Sequence, residues 1–320
     1  MGFISVNKSA EPFFERLFWQ PDYYRVATKG SPNGVRIVDA GCQTQGGIES
    51  GIILTKICMG GLSRVQVSEE KYDNIFLPTA HVSTDFPAIS TLASQYAGWR
   101  ISVGEYFAMG SGPARALSLK PKEIYRKLNY EDKSEVAILV LETSNEPTEE
   151  ALEKIAKDCK VSLSGLRIVY APTSSIAGSI QISGRVVETG IHKLYELGFD
   201  VSQITSGFGS APIAPIHPKA TQAMGRTNDA ILYGGVTCYT VNSESDEELE
   251  KIIENVPSSK SRDYGKPFAE TFKDAGHDFY KIDPALFAPA MITVNNMRTG
   301  RTFTAGDVNV GILKESFNMK

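Results

Sequence analysis

The longest uninterrupted apolar stretch in the chain is Val136-Ala137-Ile138-Leu139-Val140-Leu141, and it constrains the fold more than any other feature. A membrane helix needs roughly 20 such residues, whereas a run this short has the length of a strand buried on both faces. Shorter runs at 35–40, 166–170, 230–233 and 237–241 read as strands in the same way. Helix signals fall between them. Thr148 or Pro147 opens a helix running to about Cys159, with Glu149 and Glu150 in the first turn, where the positive end of the helix dipole favours acids. Ser245 and Glu248 form a capping box ahead of residues 249–255, and Pro257 stops that helix. This alternation predicts the α/β class, bordering on α+β, with mixed sheets covered by helices.

A chain of 320 residues is long enough for two domains. Polar, proline-bearing stretches at 143–148 and 257–267 are the softest boundaries. The expected division is a first α/β domain of 1–145 with 257–320 and a second of 146–256.

With 42% hydrophobic and 22% charged residues, the chain is not a disordered one. Lysine and arginine number 33 against 37 acids, so no general electrostatic hold on nucleic acid is expected, and no membrane partner either. Cys42, Cys58, Cys159 and Cys238 lie far apart without a CxxC pair, which fits buried thiols in a reducing cytoplasm. His81, His192, His217 and His277 show no metal-ligand spacing, so no protein-held metal is expected. The opening MGFISVNKS lacks the features of a signal peptide, again favouring the cytoplasm.

The most informative segment is 174–197, which reads as one helix. Thr173, Ser174 and Ser175 offer N-cap oxygens, and Gly198 stands where a left-handed C-cap belongs. Ile176, Ile180, Val187, Ile191 and Leu194 make the core stripe. Opposite, Gln181, Arg185, Glu188 and His192 fall within about 60° of one another. The plain alternative is a solvated face with an ordinary i,i+3 ion pair, contributing roughly 0.2–0.5 kcal/mol. The flanking residues argue otherwise. Ala177, Gly178 and Gly184 border the row, and a helical glycine costs about 1 kcal/mol relative to alanine. Close approach by another backbone or a ligand is a compensating gain, so the row is expected to line a cleft.

Other glycine-bearing segments are less specific. Gly110-Ser111-Gly112-Pro113-Ala114-Arg115 has the look of an anion cradle, but a turn leading into a helix near Ala114 explains it as well. It echoes Gly207-Phe208-Gly209-Ser210-Ala211-Pro212 weakly enough that a duplication is only one explanation. Gly225-Arg226-Thr227-Asn228-Asp229 reads as a polar segment at a strand edge. His217 fits a hydrogen-bonded structural histidine, and Cys58-Met59-Gly60-Gly61-Leu62 a tightly packed helix with a glycine stop.

Taken together these segments resemble the methenyltetrahydromethanopterin cyclohydrolase family of archaeal and methylotroph one-carbon metabolism. The resemblance rests on Thr55-Lys56-Ile57-Cys58-Met59-Gly60-Gly61-Leu62, on Gly110 to Leu117, and on Ala171-Pro172-Thr173-Ser174-Ser175. It continues through Gly184-Arg185-Val186-Val187-Glu188-Thr189-Gly190-Ile191-His192, Ala211-Pro212-Ile213-Ala214-Pro215 and Gly225-Arg226-Thr227-Asn228-Asp229. It covers most of the chain in order. The resemblance implies a two-domain α/β subunit with a pterin pocket between the domains. It also implies a homotrimer, no metal or prosthetic group, and catalysis by the Arg and Glu of the GRxxET segment. Here those are Arg185 and Glu188, the pair the helix face had already isolated.

The implied substrate carries one carbon between two nitrogens as a conjugated cation. Its hydrolysis needs water delivered, one proton removed, and one given to the departing nitrogen. A single carboxylate, Glu188, can serve as base and then acid, with Arg185 orienting it. Gln181, Ser174, Ser111 and Arg115 are candidate substrate contacts, Arg115 for an acidic tail. Two other classes compete: a small-molecule kinase using the glycine-serine turns as phosphate cradles, and a non-catalytic pterin-binding protein.

Overall fold

A computed structural model describes residues 4–319. Among these the strands are β1 (Ala27–Gly30), β2 (Arg36–Asp39), β3 (Arg64–Tyr72), β4 (Ile75–Thr84), β5 (Trp99–Val103) and β6 (Tyr106–Ser111). They continue with β7 (Ala137–Glu142), β8 (Leu166–Ala171), β9 (Ile204–Pro212), β10 (Val236–Val241), β11 (Met291–Asn296) and β12 (Thr302–Gly306). The helices are α1 (Val6–Trp19), α2 (Pro21–Tyr24), α3 (Ile48–Cys58), α4 (Pro87–Ser90), α5 (Arg115–Ser118), α6 (Lys122–Leu128) and α7 (Glu149–Cys159). After them come α8 (Ile176–Ser183), α9 (Val186–Glu196), α10 (Ala220–Gly234), α11 (Asp246–Ile253), α12 (Phe268–Asp274) and α13 (Val310–Ser316). The chain is α/β, and no helix among the described residues is long and apolar enough to cross a membrane.

Two compact units divide the chain. The first runs to Ser63 and resumes over Ala88–Gln181; the second holds Arg64–Pro87 and resumes at Ile182. This differs from the division expected at 145 and 257. Residues 143–148 are the surface loop joining β7 to α7 inside the first unit, and 257–267 lie inside the second. Polar, proline-bearing composition marks any exposed loop, not a domain linker in particular.

The first unit is built on a sheet of order β1-β2-β8-β7-β6-β5, with β2, β8 and β7 parallel and the remaining pairs antiparallel. The central strand β7 shows why its sequence is uninterruptedly apolar. Ala137, Leu139 and Leu141 pack with Leu152 and Ile155 of α7 on one face. Ile138 and Val140 pack with Phe14 of α1 and Ile53 and Ile57 of α3 on the other. Each Leu, Ile, Val or Phe side chain so buried contributes roughly 1.5–3 kcal/mol. The Thr148 hydroxyl caps α7 by accepting from the Ala151 amide at 3.3 Å.

The second unit has a sheet of order β12-β11-β10-β9-β4-β3, in which only β10 and β11 run parallel. Helices α9 and α10 pack on β9, and α12 and α13 pack on α10. That second layer explains a departure from expectation. Residues 230–233 are helical, not a strand, because the C-terminal half of α10 is enclosed on several sides and buries every residue from Asp229 to Gly234. A helix without a wet face presents the same unbroken apolar run as a buried strand. Residues 225–229 also lie within α10 and not in a loop.

The thiols also differ in part from expectation: Cys58 and Cys159 are buried, Cys42 is half-buried, and Cys238 is exposed on β10. Strand alternation puts Cys238 on the opposite face from its buried neighbours Thr237 and Tyr239.

Candidate active site

The segment read as one helix is two. Helix α8 ends at Ser183, and α9 begins after Arg185, whose backbone (φ −87°, ψ 0°) stands at the N-cap. The break falls on a serine-glycine pair, a common site of helix kinks. The Ser183 hydroxyl donates to the Pro212 carbonyl on β9 at 2.8 Å, and the Arg185 amide bonds the Ile182 carbonyl three residues back. Gln181 therefore leaves the polar row, because it belongs to the preceding helix. Arg185 and Glu188 keep their i,i+3 relation, since the Arg185 carbonyl still accepts from Thr189 at 2.8 Å.

The structure brings this pair together. Arg185 Nη2 lies 3.0 Å from Glu188 Oε2, with side-chain exposures of 13% and 6%. That is a largely buried ion pair, with Glu188 buried and Arg185 partly so, not the solvated one a free helix face would offer. Glu188 also occupies the first turn of α9, where the helix dipole stabilises negative charge. His192 lies further along α9, its Nδ1 3.9 Å from Glu196.

Glycines let this turn approach the sheet. A Cβ on Gly209 would lie 3.0 Å from methyls of both Val186 and Val187, and one on Gly235 would lie 3.2 Å from Val186. The recess lets the Val186 and Val187 side chains of α9 pack directly on β9. Tyr239 of β10 closes the same contact by donating its hydroxyl to the Val187 carbonyl at 2.8 Å. Nothing in the linear sequence singles out Tyr239, which is one inward position of an alternating strand.

The four candidate substrate contacts belong to the first unit. Ser174 is half-buried in the turn that leaves the carboxyl end of parallel strand β8. Ligands of open α/β sheets favour that end of the strands. On neighbouring β2, Asp39 collects the amides of Gly41, Cys42 and Gln43 at 2.7–2.9 Å, ordering the adjacent loop. Gln181 is buried near the end of α8, its amide 3.6 Å from the Cys58 sulfur. Ser111 closes β6, its hydroxyl donating to the Gln95 carbonyl.

Arg115 has no exposed surface. Its guanidinium donates to the carbonyls of Lys120, Leu92 and Ser94 at 2.8–3.1 Å. It thus ties together main-chain oxygens at the end of the wide turn Thr91–Gln95. The amides around it are engaged as well: Gly112 bonds Ser94, Ala114 bonds Ile138, and Arg115 bonds Gly112. The 110–115 segment is a turn into α5, with Gly112 at φ 108° where other residues are strained, and its amides offer no phosphate cradle. His217 is hydrogen-bonded as expected, its Nδ1 accepting from the Lys219 amide at 3.0 Å. Cys58 ends α3 before Gly60 and Gly61, both with positive φ. A surface cavity of about 400 Å³ beside Lys122, Tyr125 and Arg126 is lined by none of the six candidates.

A family model described as Cyclohydrolase (MCH) matches residues 5–317. Methenyltetrahydromethanopterin cyclohydrolase of Methanococcoides burtonii is 50% identical over 318 residues, covering 99% of each chain. The enzyme of that name from Methanothermobacter marburgensis is 46% identical over 319 residues, covering 99% of this chain and 100% of the relative. That of Methanocaldococcus jannaschii is 46% identical over 316 residues, 98% of each.

Proposed function

Because this chain belongs to the cyclohydrolase (MCH) family of methenyltetrahydromethanopterin cyclohydrolases, we propose that Arg185 and Glu188 carry out its proton transfers. It is a hydrolase of methanogen-type one-carbon metabolism that opens a cyclic amidine C–N bond. Methenyl-tetrahydromethanopterin and water give the 5-formyl compound and a proton.

The bridging carbon is electrophilic because its positive charge is shared with two nitrogens. Glu188 takes a proton from water as the new O–C bond forms, leaving a neutral hydroxyl adduct and a protonated carboxyl. The carboxyl then gives that proton to the departing nitrogen as the C–N bond breaks. The adduct's own hydroxyl proton leaves to solvent as the carbonyl forms. Arg185 engages Oε2, so the transfers are assigned to Oε1. A guanidinium repels a cationic substrate, which places Arg185 behind Glu188 and not against the reacting carbon.

The observation that carries this reading is the buried Arg185–Glu188 contact at the first turn of a helix. Glu188→Gln keeps the shape of the side chain and removes its base. We expect kcat to fall roughly 10²–10⁴-fold while substrate still binds, followed by the loss of the substrate's near-ultraviolet absorbance. Turnover close to that of the unaltered enzyme removes Glu188 from this role.

Ser174 and Gln181 are the proposed pterin contacts. Arg115 and Ser111 bond main-chain oxygens, which favours a role in the fold over a substrate contact. We further propose a cytoplasmic homotrimer that acts without a metal or prosthetic group; sedimentation and metal analysis of the active protein test these points.

A further inference from the structure

Glu188 is held at its tip by Arg185, and the structure also shows what holds its backbone. We infer that Tyr239 is a positioning residue for Glu188, fixing the first turn of α9 to the sheet; the inference rests on the catalytic assignment above. Tyr239 is fully buried in the middle of β10, and its hydroxyl donates to the carbonyl of Val187, the residue before Glu188. Helix starts are weakly held, because their first amides have no partner within the helix. The Tyr239 hydroxyl does not partner those amides; it pins the Val187 carbonyl of the same turn to the sheet, one residue from the reacting carboxylate.

A buried phenol needs some partner, so the hydrogen bond by itself is not the argument. The surrounding glycines are. A Cβ on Gly190, in the body of α9, would overlap the Tyr239 hydroxyl. A glycine at such a helical position costs about 1 kcal/mol relative to alanine, and here that cost admits the phenol. Gly207 makes room from below, where a Cβ would stand 3.1 Å from a Val187 methyl and 3.3 Å from the Tyr239 ring. Two elements therefore give up side chains around a single contact to the backbone beside Glu188. Burial keeps the proton on the phenol, and the nearby negative charge of Glu188 reinforces this, so the group remains a donor.

Tyr239→Phe removes the donor and keeps the ring. We expect kcat to fall roughly tenfold with KM changed less than about twofold, since small misplacements of a reacting group are costly. Gly190→Ala, which keeps the phenol but displaces it, is expected to move kcat the same way. The discriminating measurement is Tyr239→Phe in the Glu188→Gln background, with circular dichroism confirming that each variant is folded. If Tyr239 acts through Glu188, the double variant is no slower than Glu188→Gln alone. An equal loss in both backgrounds, or an unchanged kcat in Tyr239→Phe and Gly190→Ala, overturns the inference while leaving Glu188 in place. Near-normal turnover by Glu188→Gln itself instead overturns the assignment on which it rests.

Discussion

Glu188 lies three residues beyond Arg185 and 3.0 Å from its guanidinium, and neither side chain is freely solvated. Removing one member of a buried pair leaves the other's charge unmatched, which typically costs 3–5 kcal/mol. Because Arg185 is only partly buried, Arg185→Ala is expected to lower stability by up to about 3 kcal/mol, besides slowing turnover. Adding Glu188→Gln to it should restore part of that stability, because the stranded charge is gone. Urea unfolding of the two single variants and the double variant measures the coupling. Simple additivity would show that the contact contributes little.

Arg115 is expected to behave differently. Its replacement by alanine strips donors from the carbonyls of Lys120, Leu92 and Ser94 inside the first unit, of which Ser94 keeps the Gly112 amide. Each buried acceptor left without a partner costs about 1–3 kcal/mol, so the loss should be severe. Methionine should fare little better, because it fills the volume but donates nothing. The measurement is the unfolding midpoint together with KM of whatever fraction folds. A folded, fully stable Arg115→Ala enzyme with a much raised KM would contradict the structural role.

Asp229 gives the fold a pH dependence. Burial pushes its carboxyl up to about 7, against hydrogen bonds from Ser316 and the Phe268 amide that favour the charged form; Glu270 and Glu315 push it further up. The folded chain then holds a proton that the unfolded chain, with an aspartate near 3.9, releases. Stability from this group is fully present below about pH 4 and is lost as pH rises to about 7. The loss is on the order of a few kcal/mol at most. Asp229→Asn can keep both contacts and should flatten the curve. Urea midpoints at pH 5 and pH 8 make the comparison; identical slopes for both proteins would exclude Asp229 as the source.

Part of the fold was legible along the chain because its causes are local. Strands β2, β7, β8 and β10 stand where apolar runs placed them, and α7 and α11 start at Thr148 and Ser245, whose side chains accept the expected amide bonds. Caps and short apolar runs act over a few residues, so sequence alone reports them. Other features depend on what packs alongside. Residues 230–233 became helix because α12 and α13 cover the outer side of α10. Arg115 resembled a ligand contact because nothing in its sequence neighbours reveals three carbonyls more than twenty residues upstream or in the next turn.

By itself the sequence determined that Arg185 and Glu188 would lie one helical turn apart, because i,i+3 neighbours meet on any helix. It also carried the long motifs by which the family is recognised. Only the tertiary structure decided that the helix breaks at Gly184, that the pair is buried, and that Tyr239 grips the turn beneath it. Helical spacing is a property of the backbone alone. Burial and alignment arise from strands distant in sequence, whose glycines and single tyrosine meet that turn only once the chain has folded.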